Sequence, residues 1–137
     1  MELEDIGKQV VDASIAVHRE LGPGLLESAY EQCLAFELVR RGLQIERQKE
    51  LPLVYQGMKI DAGYRVDLLV GGKVLVELKA VERIEPIHHA QLISYLKLSG
   101  NHLGYLINFN VRLLREGLHR VVFQLPEPTS RSLRPSR

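Results

Sequence analysis

Asp67 on one apolar run, and Glu77-x-Lys79 on the next, place two carboxylates and an ammonium group in segments that otherwise look buried. Glu77 and Lys79 sit within Val74-Leu75-Val76-Glu77-Leu78-Lys79-Ala80, and Asp67 within Val66-Asp67-Leu68-Leu69-Val70. Residues two apart on a β-strand share a face, so Glu77 and Lys79 point the same way. A charge in such surroundings is costly unless it is paired or bound to a metal. Two carboxylates suit a hard cation such as Mg²⁺, which offsets charge developing on a phosphate. A lysine beside them can position or deprotonate the attacking water, or stabilise the transition state. The chemistry these residues suggest is hydrolysis of a phosphodiester.

That chemistry sets a geometric condition on the turn. A two-residue hairpin at Gly71-Gly72 would pair Val70 with Lys73 and leave Asp67 facing Val76, away from Glu77. A three-residue loop (Gly71, Gly72, Lys73), or a bulge near Asp67, would bring Asp67 opposite Glu77. The site requires one of the latter.

The surrounding elements follow from periodicity and punctuation. Ile6, Val10, Ala13, Val17 and Leu21 fall on one face of a helix over 4–21, with Val11 and Ile15 on a second side that either joins the core or meets another copy. Gly22-Pro23-Gly24 ends it, and a second helix runs from about 25 to 41 with Gly42 as its C-terminal cap. Residues 44–55 read as extended, and Gln56-Gly57 turns the chain into 58–62. Pro86 opens a third helix that ends before Gly100-Asn101. Strands follow over 103–109 and 117–124, and the Pro/Ser/Arg-rich stretch 125–137 reads as a disordered tail beyond a 1–124 domain. The order α-α-β-β-β-β-α-β-β predicts an α+β domain with a central mixed sheet flanked by helices.

Further polar residues fall on the helices. Glu27 opens the second helix, where the dipole favours a carboxylate, and shares a face with Tyr30; helix stabilisation alone explains a glutamate there. Gln91 and Tyr95 are four apart on the third helix, with His88 one turn earlier, as on the polar edge of an amphipathic helix. His18 and His89 read as structural or solvated. The basic residues Arg40, Arg41, Arg47, Lys49, Arg112, Arg115 and Arg120 are scattered and read as surface charge.

The 137 residues are 45% hydrophobic and 26% charged, enough for one domain with a core. A net charge of +1 argues against a dedicated non-specific DNA binder, while the absence of Trp argues against an extended base-stacking platform. No run is long and apolar enough to span a bilayer, and the acidic start (Glu2, Glu4, Asp5) does not suit a signal peptide, so a cytoplasmic protein is expected. The single cysteine, Cys33, excludes an internal disulfide; beside Leu34 in a helix it reads as a buried, inert thiol.

Taken in order, Gly24-x-x-Glu27-x-x-Tyr30, Asp67, Glu77-x-Lys79 and Gln91-x-x-x-Tyr95 resemble the motifs of the GxxExxY proteins. These belong to the PD-(D/E)XK nuclease superfamily, of restriction-endonuclease-like fold, near its RecB-type exonuclease branch. The resemblance covers about residues 5–124, with Val66 where the superfamily's name implies a proline. It implies that Glu27, Asp67, Glu77 and the backbone carbonyl of Leu78 hold Mg²⁺ or Mn²⁺. Lys79 would then activate water or stabilise the transition state, and Gln91 and Tyr95 would orient the phosphate or the catalytic groups. The implied activity is metal-dependent cleavage of nucleic acid, DNA first. A catalytically silent binding or regulatory module of the same fold, working with a partner protein, is the competing reading, and a homodimer is compatible with either.

Overall fold

The computed structural model describes residues 1–126. Helices α1 (Leu3–Leu21) and α2 (Glu27–Arg40) precede strands β1 (Ile45–Glu50), β2 (Leu53–Tyr55), β3 (Met58–Ile60), β4 (Arg65–Val70) and β5 (Val74–Lys79). Helix α3 (Pro86–Ser99), β6 (Leu103–Asn108), a 3-10 turn at Leu114–Glu116 and β7 (Leu118–Val122) complete the described residues. The apolar runs make the middle of a five-stranded sheet of order β1-β4-β5-β6-β7. Among the described strands only β5 and β6 run parallel, and α3 supplies the crossover that a parallel pair needs. The domain is therefore α+β, a mixed central sheet flanked by helices, consistent with a restriction-endonuclease-like fold.

Each sheet face carries its own core. Ile6, Val10 and Ala13 of α1 and Leu34 and Leu38 of α2 pack on Leu68, Val70, Val74, Val76 and Leu78. On the other face Leu92, Tyr95 and Leu96 of α3 pack on Val66, Leu69, Leu75 and Leu106. Coverage on both faces explains why every residue of β6 is buried. Val11 and Ile15, the second apolar side of α1, pack against this chain's own core.

The expected helix signals hold. At the end of α2, Leu43 N–H donates to the Leu38 carbonyl (3.1 Å) and Gly42 N–H to that of Val39 (2.9 Å), a Schellman closure around Gly42 at φ +88°. Pro86 begins α3, and Gly100 caps it in the left-handed conformation.

Two expectations need correction. The extended stretch 44–55 is two strands, because the chain leaves the sheet at Leu51-Pro52, where Pro52 has no N–H to continue a ladder. Cys33 is exposed. The buried stripe of α2 runs through Tyr30, Leu34 and Leu38, with Glu31 and Ala35 beside it, which turns Cys33 to solvent. Of the expected tail, residues 127–137 lie outside the described residues. Among the described residues, no helix is long and apolar enough to cross a membrane.

Candidate active site

The β4–β5 turn takes its longer form. Val70 pairs with Val74, Leu69 with Leu75 and Leu68 with Val76, leaving Gly71, Gly72 and Lys73 as the loop. Gly71 and Gly72 adopt φ +60° and +70°, where a side chain would be strained. Continued one step, this register sets Asp67 against Glu77, the arrangement the chemistry requires.

The backbone ladder stops at that step and the carboxylates take over. Asp67 N–H donates to Glu77 Oε1 and Leu78 N–H to Asp67 Oδ2, each at 2.8 Å. Strand alternation also fails here: Val66 joins the core under α3, whereas Leu68 and Val70 join the opposite one. Asp67 thus sits at a fork where two central strands begin to part. Leu78 buries its side chain in the core and offers the site only its backbone.

Glu77 is only 6% exposed. Burial pushes its carboxyl up to about 8, the negative charge of Asp67 adds to the effect, and that of Glu27 contributes further. The Asp67 N–H and the Lys79 ammonium act the other way. Lys79, two residues on, is half-buried. Glu27 starts α2 at the same end of β5, and its Oε2 accepts from Ala80 N–H at 3.3 Å. Tyr30 secures that approach: fully buried and stacked on Phe109, it donates from its hydroxyl to the Gly22 carbonyl and accepts from Leu25 N–H. Glu27 and Tyr30 therefore do different work, one at the rim and one in the core.

From the α3 side, Tyr95 closes on the carboxylates. Burial raises its phenol above the usual range, and the charges of Glu77 and Asp67 raise it further. Gln91, one turn earlier, lines a cavity with Tyr95. The histidines have other tasks. His88 Nδ1 accepts from Glu85 N–H at the start of α3, His18 Nε2 meets the Val111 carbonyl at 2.8 Å, and His89 packs edge-on to His119. Of the arginines read as surface charge, Arg41 pairs with Glu37 and Arg112 with Glu116 one turn away, and Arg120 reaches Glu4 of α1.

Two residues absent from the sequence-based site connect to Asp67 through hydrogen bonds. Gln48 stands opposite Asp67, bracketed by the pairs Arg47–Leu68 and Lys49–Val66, and adopts φ +52°. A non-glycine residue held there costs about 1–3 kcal/mol. Its Nε2 donates to Asp67 Oδ1 (3.0 Å) and to Glu31 Oε1 (2.8 Å). Glu31, 8% exposed, also accepts from Arg47 Nε at 3.1 Å. The spacing of Glu31 four residues after Glu27 could have flagged it, since the two share a helix face. Nothing in the sequence marks Gln48.

Among the described residues, no three His, Cys, Asp or Glu side chains converge as a ready-made cage for an ion. The donor chemistry nevertheless fits a hard divalent cation: burial and the neighbouring Asp67 charge disfavour ionisation of Glu77, which is hydrogen-bonded to the Asp67 backbone, and a cation there would favour the charged pair. Glu77 has a folded pKa above its ordinary 4.5, so its contribution to stability is fully present below pH 4.5 and is lost as pH rises through about 8. Metal-free protein should therefore lose on the order of a few kcal/mol across that window, and saturating Mg²⁺ should flatten the fall. Urea melts at stepped pH, with and without Mg²⁺, measure both slopes; a flat metal-free profile would refute the coupling.

No curated protein and no solved structure matches the chain. The family model of the PD-(D/E)XK nuclease superfamily matches residues 4–121, a span that takes in both cores, the forked β4–β5 pair and α3. The chain belongs to the PD-(D/E)XK nuclease superfamily, whose members are usually nucleases and generally use divalent metals.

Proposed function

We propose that this chain hydrolyses phosphodiester bonds in nucleic acid, DNA first, with Mg²⁺ or Mn²⁺ bound at the β4–β5 fork. The observation that carries the reading is the opposed Asp67–Glu77 pair beside Lys79, where carboxylates replace carbonyls as acceptors of backbone N–H groups. Asp67, Glu77 and the Leu78 carbonyl would hold the ion, and Glu27 would complete the set by releasing the Ala80 amide. A bound divalent cation supplies Lewis acidity, offsetting phosphate charge and making water more acidic. Lys79 sets its ammonium against the charge that develops on the phosphate as water attacks in line and the opposite P–O bond breaks. Tyr95 and Gln91 orient the phosphate from the α3 side. Gln48, anchored on Glu31, fixes the Asp67 carboxylate so that its second oxygen stays on Leu78 N–H.

Calorimetric titration of Mg²⁺ and Mn²⁺ into wild type and Asp67→Ala tests the reading, alongside labelled single- and double-stranded DNA and RNA. Metal binding and cleavage confined to wild type support it. A partner-dependent module that cuts nothing is the second reading. It is favoured by the way Asp67 and Glu77 already satisfy backbone amides without an ion, and metal binding without cleavage of any strand would select it.

A further inference from the structure

Between α3 and the chain leading into β4, and sharing Gln91 and Tyr95 with the candidate site, lies a cavity of about 430 Å³. Leu53, Tyr64, Ile87, Gln91, Tyr95 and Lys97 line it. The volume is near the lower end of the ~300–1,000 Å³ of small-ligand sites. The two tyrosine rings stand 6.2 Å apart between centroids at 52°. Tyr95 is the buried member, shared with the candidate active site, while Tyr64 lines the same cavity and is 42% exposed. Its backbone is fixed, because the Tyr64 carbonyl accepts from Leu51 N–H at 2.9 Å. Lys97 contributes to the lining, and its ammonium lies 5.5 Å from the centre of the Phe123 ring. Apolar and aromatic walls with a cation in the lining suit a flat apolar group attached to an anion.

Resting on the nuclease reading above, we propose that this cavity is a subsite for one unpaired nucleobase adjoining the scissile phosphate, so that the substrate is single-stranded nucleic acid. A base inside a duplex has both faces covered by its neighbours and cannot enter without leaving the stack. Once unpaired it can stack on Tyr64, while Lys97 meets a neighbouring phosphate. A single such subsite is compatible with a chain that has few aromatic residues, because one base needs one ring.

The test uses single-stranded DNA carrying one 2-aminopurine, with Ca²⁺ in place of Mg²⁺ to keep the strand intact. Wild type should quench the probe on binding. Tyr64→Ala should weaken single-strand binding about tenfold and remove the quench, as expected for loss of one base–aromatic stack. Tyr64→Phe should retain both within about twofold, and duplex binding should not respond to either change. Ile87→Glu, on the exposed surface of α3, puts a negative charge at the same cavity and should also weaken single-strand binding. It keeps the test decisive if Tyr64→Ala does not fold.

Unchanged single-strand affinity in Tyr64→Ala and Ile87→Glu overturns the subsite, as does equal weakening toward duplex and single strand. If wild type still cleaves in either case, the nuclease reading survives and only the subsite falls. If wild type binds no oligonucleotide while Mn²⁺ still titrates against Asp67, both fall and a protein ligand becomes the occupant to seek.

Discussion

Asp67→Asn should abolish measurable divalent-metal binding and flatten the pH profile of stability in the metal-free protein. The first effect follows from charge. Asparagine keeps one oxygen to accept from Leu78 N–H, but it offers a cation a neutral donor in place of an anionic one. The loss of affinity should exceed the ~10–100-fold seen when a group that merely supports a ligand is removed. Cleavage should fall by at least ~10²–10³-fold, the scale on which one charge-stabilising group acts in a transition state. The second effect has the same origin with opposite consequence. The Asp67 charge is second only to burial in raising the Glu77 carboxyl to about 8, so its removal lets that value drop toward the ordinary one. Folded and unfolded proton affinities then converge, and stability depends less on pH. Calorimetry with Mn²⁺ and urea melts at stepped pH read the two effects on the same sample. Metal binding that survives in Asp67→Asn would remove Asp67 from the ligand set.

Lys79→Met should separate binding from chemistry. Methionine keeps much of the apolar stem of lysine and removes the ammonium, so the half-buried position stays filled. Metal should still bind, since no proposed ligand is lost. Its binding should, however, move to higher pH, because the Lys79 charge opposes the upward shift of Glu77 and its removal makes that carboxyl harder to ionise. Single-turnover cleavage at saturating metal should fall by about 10²–10⁴-fold, the range for a positioned acid–base or charge-stabilising group. Cleavage close to wild type with metal saturated would exclude Lys79 from the chemistry.

The centre of the site was readable because Asp67, Glu77 and Lys79 are charged residues in runs of Val and Leu. Sequence also narrowed the β4–β5 turn to a condition, and the structure meets it through two glycines that accept positive φ. The supporting residues were harder to see for physical reasons. Gln48 is tied to Glu31 and Asp67 of two other elements by its side chain, a placement no local propensity encodes. Glu31 looks like an ordinary helix-surface glutamate until β1 brings Arg47 and Gln48 over it. The break at Pro52 is written in the residue itself, a missing N–H, and the extended reading of 44–55 ran across it. Cys33 misled because adjacency to Leu34 says nothing about facing on a helix, where successive side chains diverge.

The fork between β4 and β5 gives the protein two internal indicators of its own state. The amide protons of Asp67 and Leu78 each end on a carboxylate oxygen. Protonation of Glu77, or withdrawal of either carboxylate toward a cation, must change the acceptor that one or both protons see. Their NMR shifts and exchange rates would therefore follow proton and metal occupancy without an added label. Amides held by backbone carbonyls in the centre of β6 would stay still and serve as the reference.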